Sequence, residues 1–93
     1  MISTHVLDTA SGRPAAGVRV ELYRGDELVA SGETDGDGRI RELADAGDGT
    51  YRLVFHPPSP FFTRVELELA LGGGDYHVPL LVSPYGLTTY RGS

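Results

Sequence analysis

An all-β fold, a small sandwich or barrel, is predicted by three observations. Apolar residues recur with a period of two along the chain, turn-forming clusters cut it into seven or so short segments, and no window keeps apolar residues at i, i+3, i+4 and i+7 for three turns. A chain of 93 residues with thirteen glycines and six prolines holds one such domain, spanning residues 1–93.

Ile2 to Asp8 is strand-like from the start, and Ser11-Gly12-Arg13-Pro14 breaks it. Val18, Val20 and Leu22 then alternate with Arg19 and Glu21. Leu28 to Ser31 follows the turn-forming Gly25-Asp26, which predicts a hairpin. After the turn Asp35-Gly36-Asp37-Gly38, Arg41 to Ala46 is the one stretch where a helical turn is expected. Beyond Gly47-Asp48-Gly49, the segment Thr50 to His56 places Tyr51, Leu53 and Phe55 on one face. Three prolines in Pro57-Pro58-Ser59-Pro60 forbid a helix in the next link. The clearest alternation is Arg64 to Ala70, with Val65, Leu67 and Leu69 opposite Arg64, Glu66 and Glu68. Gly72-Gly73-Gly74 separates it from Tyr76 to Leu81. Val82 to Ser93 mixes a proline turn, β-branched residues and two tyrosines, so both ends of the chain are expected to be tied down as outer strands.

Composition removes whole chemistries. The sequence contains no Cys, Trp, Lys, Asn or Gln, which excludes thiol nucleophiles, thiolate metal sites and lysine Schiff bases. Thirteen Asp and Glu against eight Arg give a net charge of −5, interspersed along the chain, and no basic stripe exists for a phosphate backbone to follow. No nucleic-acid partner is expected. No apolar run approaches the roughly 20 residues of a membrane span, and Met1-Ile2-Ser3-Thr4-His5 has neither a positive nor an apolar leader region. A soluble, cytoplasmic protein with no membrane partner is expected. A monomer of this size buries only roughly 60–65% of its unfolded surface, and no disulfide staples it. Oligomerisation is therefore expected, with edge strands paired across subunit boundaries.

Several motifs fail. With Gly38 at the required glycine of a calcium loop, the twelfth position is Ala44 where a bidentate glutamate is needed. Gly72-Gly73-Gly74-Asp75 lacks the lysine of a phosphate-binding loop, no serine sits in a G-x-S-x-G elbow, and His5, His56 and His77 lack metal-ligand spacing. Two histidines remain of interest. His5 shares a strand face with Ser3 and Leu7, and His77 shares one with Pro79 and Leu81, so the two imidazoles read as a proton-handling pair. By themselves Arg39 reads as a solvated residue after a turn, Tyr90 as a core or interface aromatic, and His56 as an exposed strand end.

Ser3-Thr4-His5-Val6-Leu7-Asp8-Thr9, Gly12-Arg13-Pro14-Ala15, Asp37-Gly38-Arg39, Gly49-Thr50-Tyr51-Arg52-Leu53, Tyr76-His77-Val78-Pro79-Leu80-Leu81, Ser83-Pro84-Tyr85-Gly86 and the terminal Tyr90-Arg91-Gly92-Ser93 occur in order. In these blocks the chain resembles the transthyretin-related 5-hydroxyisourate hydrolase family from its second residue to its last. The terminal block is the most specific, because it separates the hydrolases from the hormone-carrying transthyretins. The resemblance implies a transthyretin-like β-sandwich of two four-stranded sheets, assembled as a homotetramer with active sites in a central channel at the dimer-dimer interface. It implies hydrolytic ring opening of 5-hydroxyisourate with no metal or organic cofactor. It carries over His5, Arg39, His77 and Ser93 as catalytic residues, and His5, Arg39, Tyr90 and Arg91 as substrate-binding ones. A hydroxyl and a terminal carboxylate at Ser93 are available to pair with an arginine or a protonated histidine. A transthyretin-like small-molecule binding protein without hydrolysis is the alternative, and a purely structural β-sandwich module a further one. The chain departs from the family between Phe55 and Arg64, where members carry a longer stretch with a short surface helix; the channel is expected to survive this deletion.

Overall fold

The alternating segments fold as nine strands with no helix in the computed structural model, which describes residues 1–93. β1 (Ile2–Asp8) turns Ile2, Thr4 and Val6 into the interior and leaves Ser3, His5 and Leu7 half-buried on the opposite face. Buried Thr4 is satisfied by donating its hydroxyl to the Val78 carbonyl at 2.6 Å. β2 is the two-residue Arg13–Pro14, and β3 (Arg19–Arg24) and β4 (Glu27–Glu33) form the expected hairpin. Gly25 takes φ 60 at the first position of its two-residue loop, as a II′ turn requires.

β5 (Arg39–Ala44) corrects the expected helical turn at Arg41 to Ala46. Arg-Glu-Leu-Ala suits a helix locally, but the open edge of β1 offers backbone partners along its first half, and a strand there also buries Leu43. The pairing is irregular, with a register shift between Ile2 and Thr4. β6 (Gly49–Phe55) and β7 (Val65–Leu71) are full antiparallel partners. The proline link between them has no helix. Ser59 Oγ accepts the Phe61 and Phe62 amides and donates to the Pro84 carbonyl at 2.8 Å, strapping the link to the turn before the last strand.

β8 (Tyr76–Val82) runs parallel to β1 over its whole length, and β9 (Leu87–Thr89) closes that sheet. One sheet therefore has the order β4-β3-β6-β7. The other has four positions, β9, β8, β1 and an outer one shared by β5 and the short β2, which pair with successive parts of β1. Phe55, Leu22, Leu53, Leu80, Val6 and Val20 fill the space between the sheets, and no buried side-chain polar atom lacks a partner. On one side of the sandwich β4 packs on β5. On the other, β7 and β9 flank an open groove of about 450 Å³. No helix is present that is long and apolar enough to cross a membrane.

Candidate active site

The outer face of the sheet that contains β1, β5 and β8 collects the candidate groups through strand register alone. Period-two geometry puts Ser3 and His5 on that face of β1 and His77 on that face of β8. Parallel pairing sets Ser3 opposite His77, and antiparallel pairing sets His5 opposite Arg39. Arg39 enters β5 directly from the turn Asp35 to Gly38. There the Asp35 carboxylate accepts the Asp37 and Arg39 amides at 2.9 and 3.0 Å, and Gly38 takes φ 74. These bonds, above all that from the Arg39 amide, hold the Asp35 carboxyl below its usual range. Arg41 also pairs with Asp35 at 2.8 Å, so this acidic turn is a structural anchor; no three His, Asp or Glu side chains converge anywhere as a metal site.

The end of the chain folds back over the same face. Beyond β9 the Gly92 amide donates to the His77 carbonyl at 2.6 Å in an isolated bridge, which brings Ser93 beside His77. Ser3, Arg39, Arg41, His77, Gly92 and Ser93 line one open cleft of about 740 Å³. Both imidazoles are biased toward neutrality. Burial, then the Arg39 guanidinium, lowers the pKa of His5. Burial, then Arg39 and His5, lowers that of His77. A neutral imidazole beside a fixed cation is a proton acceptor next to a site that favours developing negative charge.

Four of the expected residues, His5, Arg39, His77 and Ser93, thus gather around one face. Tyr90 and Arg91 lie elsewhere in the single chain. Both line the β7–β9 groove, where Tyr90 is 53% exposed and the Arg91 guanidinium stacks 4.5 Å above the Tyr76 ring. His56 is an exposed residue just past β6, and its Nε2 lies 2.6 Å from the Glu21 carboxylate on the far sheet. Sequence reasoning did not single out Ser3, whose Oγ lies 2.9 Å from His77 Nδ1, nor Gly92. Strand parity put Ser3 on the right face, but its partner stands 74 positions away in a register that no local pattern encodes.

Two sheets in this strand order, with histidines and an arginine on the outer face of one, define a transthyretin-type β-sandwich bearing a candidate hydrolytic cleft. The chain belongs to the HIUase/Transthyretin family, which it matches over residues 2–92. It is 45% identical to 5-hydroxyisourate hydrolase 2 of Rhizobium meliloti (strain 1021), with 99% of this chain and 95% of that protein covered. That alignment runs over 114 positions against 93 residues here, so the relative carries segments this chain lacks. Among solved structures, the 5-hydroxyisourate hydrolase of Klebsiella pneumoniae superposes with a TM-score of 0.90 at 37% identity, covering 99% of this chain and 97% of that one. Transthyretin from Sparus aurata superposes with a TM-score of 0.86 at 26% identity, covering 98% and 95%.

Proposed function

We propose that this chain hydrolyses 5-hydroxyisourate, opening its six-membered ring to 2-oxo-4-hydroxy-4-carboxy-5-ureidoimidazoline in urate catabolism. The observation that carries the reading is the register-built meeting of His5, His77 and Arg39, with both imidazoles held toward their neutral forms. The relatives named as 5-hydroxyisourate hydrolases support it at nearly full coverage of both chains.

Ring opening adds water to a ring carbonyl carbon, breaks the adjoining carbon–nitrogen bond and returns a proton to the departing nitrogen. His77 is the principal base: it takes the proton from water as the oxygen attacks. His5, on the neighbouring strand, orients the water and shares the proton that goes to the nitrogen. Arg39 stays cationic throughout, and its planar fork suits the carbonyl oxygen on which negative charge gathers. Ser93 contributes a hydroxyl at the cleft wall, and Tyr90 and Arg91 contact substrate from a neighbouring subunit of a homotetramer. Action in the cytoplasm completes the reading, with which a cysteine-free composition is compatible.

A stopped-flow absorbance assay in which urate oxidase generates the substrate in place tests the activity. The protein should accelerate decay of the hydroxyisourate signal; an unchanged decay with ligand binding leaves the binding-protein reading instead, and an unchanged decay without binding removes both. In single-turnover measurements His77→Asn should lose roughly 10²-fold or more, the usual contribution of a positioned base. His5→Asn should lose less. Equal, small losses for the two variants would remove the proton-handling pair.

A further inference from the structure

His77 is held from two sides by residues that have no part in the chemistry above. On one side, β1–β8 pairing puts Ser3 directly opposite, with its Oγ 2.9 Å from His77 Nδ1. On the other, Gly92 donates its amide to the His77 carbonyl in an isolated bridge, which sets its backbone beside the ring. A Cβ built on Gly92 would stand 2.6 Å from His77 Cδ2, closer than real Cβ atoms come, and a tight 3.3 Å from Cγ, so the ring or the terminal backbone would have to shift. Gly92 is absent from the glycines with positive φ, so this position requires glycine for space and not for backbone conformation. The ring is therefore fixed at Nδ1 by a hydroxyl and along its Cγ–Cδ2 edge by bare backbone. Nε2 makes no hydrogen bond within the chain and is the nitrogen left for the cleft.

We propose that Ser3 and Gly92 are positioning residues that clamp the His77 imidazole as its Nδ1–H tautomer, so that Nε2 presents the lone pair that accepts the proton from water. This rests on His77 being the base of the reaction proposed above. A base at Nε2 requires the ring proton at Nδ1, where Ser3 Oγ is the acceptor in reach. The two partners divide the work: Ser3 sets which nitrogen carries the proton, and Gly92 sets where the ring plane lies. The charged and titratable groups facing the ring are Arg39 from β5 and His5 from β1, with Arg41, Glu42, Asp75, Tyr76, the Met1 ammonium and the Ser93 carboxylate along the cleft.

The direction of one measured pKa separates this arrangement from its reverse. A bond donated by Nδ1–H persists and strengthens when the ring becomes imidazolium, because a charged donor makes the stronger bond. Ser3→Ala should then lower the His77 pKa further. If instead the Ser3 hydroxyl donates to a bare Nδ1, protonation costs that bond and the hydroxyl must turn round to accept, so the two states gain similarly from Ser3 and Ser3→Ala leaves the pKa unmoved or raised.

Nitrogen-15 NMR of histidine-labelled protein, titrated without substrate, reads both tautomer and pKa independently of turnover. The expected results are a pyridine-type Nε2 signal in the parent chain, a mixed tautomer and lowered pKa in Ser3→Ala, and recovery of both in Ser3→Thr. In turnover, Ser3→Ala should reduce kcat roughly tenfold to hundredfold with little change in KM, as for supporting partners of other site histidines. Gly92→Ala should displace the His77 ring resonances and lower kcat while the thermal midpoint stays close to that of the parent. A pyrrole-type Nε2 in the parent chain, a raised or unmoved His77 pKa in Ser3→Ala, or unmoved ring signals in Gly92→Ala would overturn the clamp. Loss of the clamp with a normal ring-opening assay leaves the proposed activity standing, whereas a correct tautomer in an inactive protein fails the activity alone.

Discussion

Arg39 acts on both histidines before any substrate arrives. Its cation sits across the β1–β5 pairing from His5, and it depresses His77 as well, so each imidazole gives up its proton more readily than an isolated one. A histidine with a lowered pKa is neutral above that value and becomes protonated only as pH falls through it. Turnover should therefore persist below the ordinary histidine value of about 6.5 before its acid limb begins. Arg39→Ala removes one depressing influence from each histidine and leaves burial in place, together with the effect of His5 on His77. The titration midpoints of His5 and His77, followed by their imidazole proton resonances, should both rise in that variant, toward but not beyond about 6.5. Unmoved midpoints would show that Arg39 does not set the two values. The same guanidinium thus has two separable effects, on the resting protonation state and on the oxyanion, and only the second requires substrate.

At the scale of strands and turns, the site depends on the short connection that starts β5. Gly38 holds φ 74 there, and a Cβ at that position would lie 2.5 Å from the Val6 carbonyl oxygen and 3.0 Å from Pro14 Cβ. The Val6 amide also donates to the Gly38 carbonyl at 2.8 Å, so the turn is stitched to the middle of β1 next to His5. Gly38→Ala should destabilise the fold by at least about 1–3 kcal/mol, the usual cost of a left-handed residue, with the steric conflict added. Urea unfolding measures it, and a loss under about 0.5 kcal/mol, the size of a neutral surface change, would refute the tight fit. This turn also shows what could be read from the sequence. Asp-Gly-Asp-Gly announces a turn by local chemistry, and the half-buried alternation of β1, β3, β6 and β7 is equally local, so all were legible. β5 was not, because its residues favour a helix and only an edge of β1, contributed from far along the chain, decides otherwise. Parity likewise put His5 and His77 on strand faces, yet the parallel register that makes Ser3 and His77 neighbours depends on how the whole sandwich closes. His5 and His77 were paired as candidates by strand parity, whereas Arg39 and Ser93 became candidates only through the family motif blocks. Ser3 stands within one of those blocks but owes its place beside His77 to geometry that exists only after folding.

The whole molecule presents a subunit that is well closed on one side and open on the other. Its accessible surface of 5199 Å² is close to that of an ordinary monomer of its mass, about 5,200 Å², and corresponds to burying roughly 64% of the unfolded surface. The modest buried fraction is thus what a chain of this size is expected to reach. β4 and β5 seal one side, whereas β7 and β9 remain as edges around a groove walled by Leu67, Leu69 and Val78 and carrying Tyr90 and Arg91. Unpaired edges over apolar side chains invite a second copy of the chain, and the proposed tetramer would cover them. The cleft holding His77 and Arg39 is open to solvent in a single chain, while a base and a cation act on a carbonyl more strongly once water is excluded. Assembly should therefore influence stability and catalysis together. On serial dilution the thermal midpoint should fall with protein concentration, since association stabilises by mass action. Turnover per chain should fall over the same concentration range in which light scattering records loss of the tetramer. If a monomer keeps full turnover per chain, the cleft is complete within one subunit, and the contacts around β7 and β9 serve stability alone.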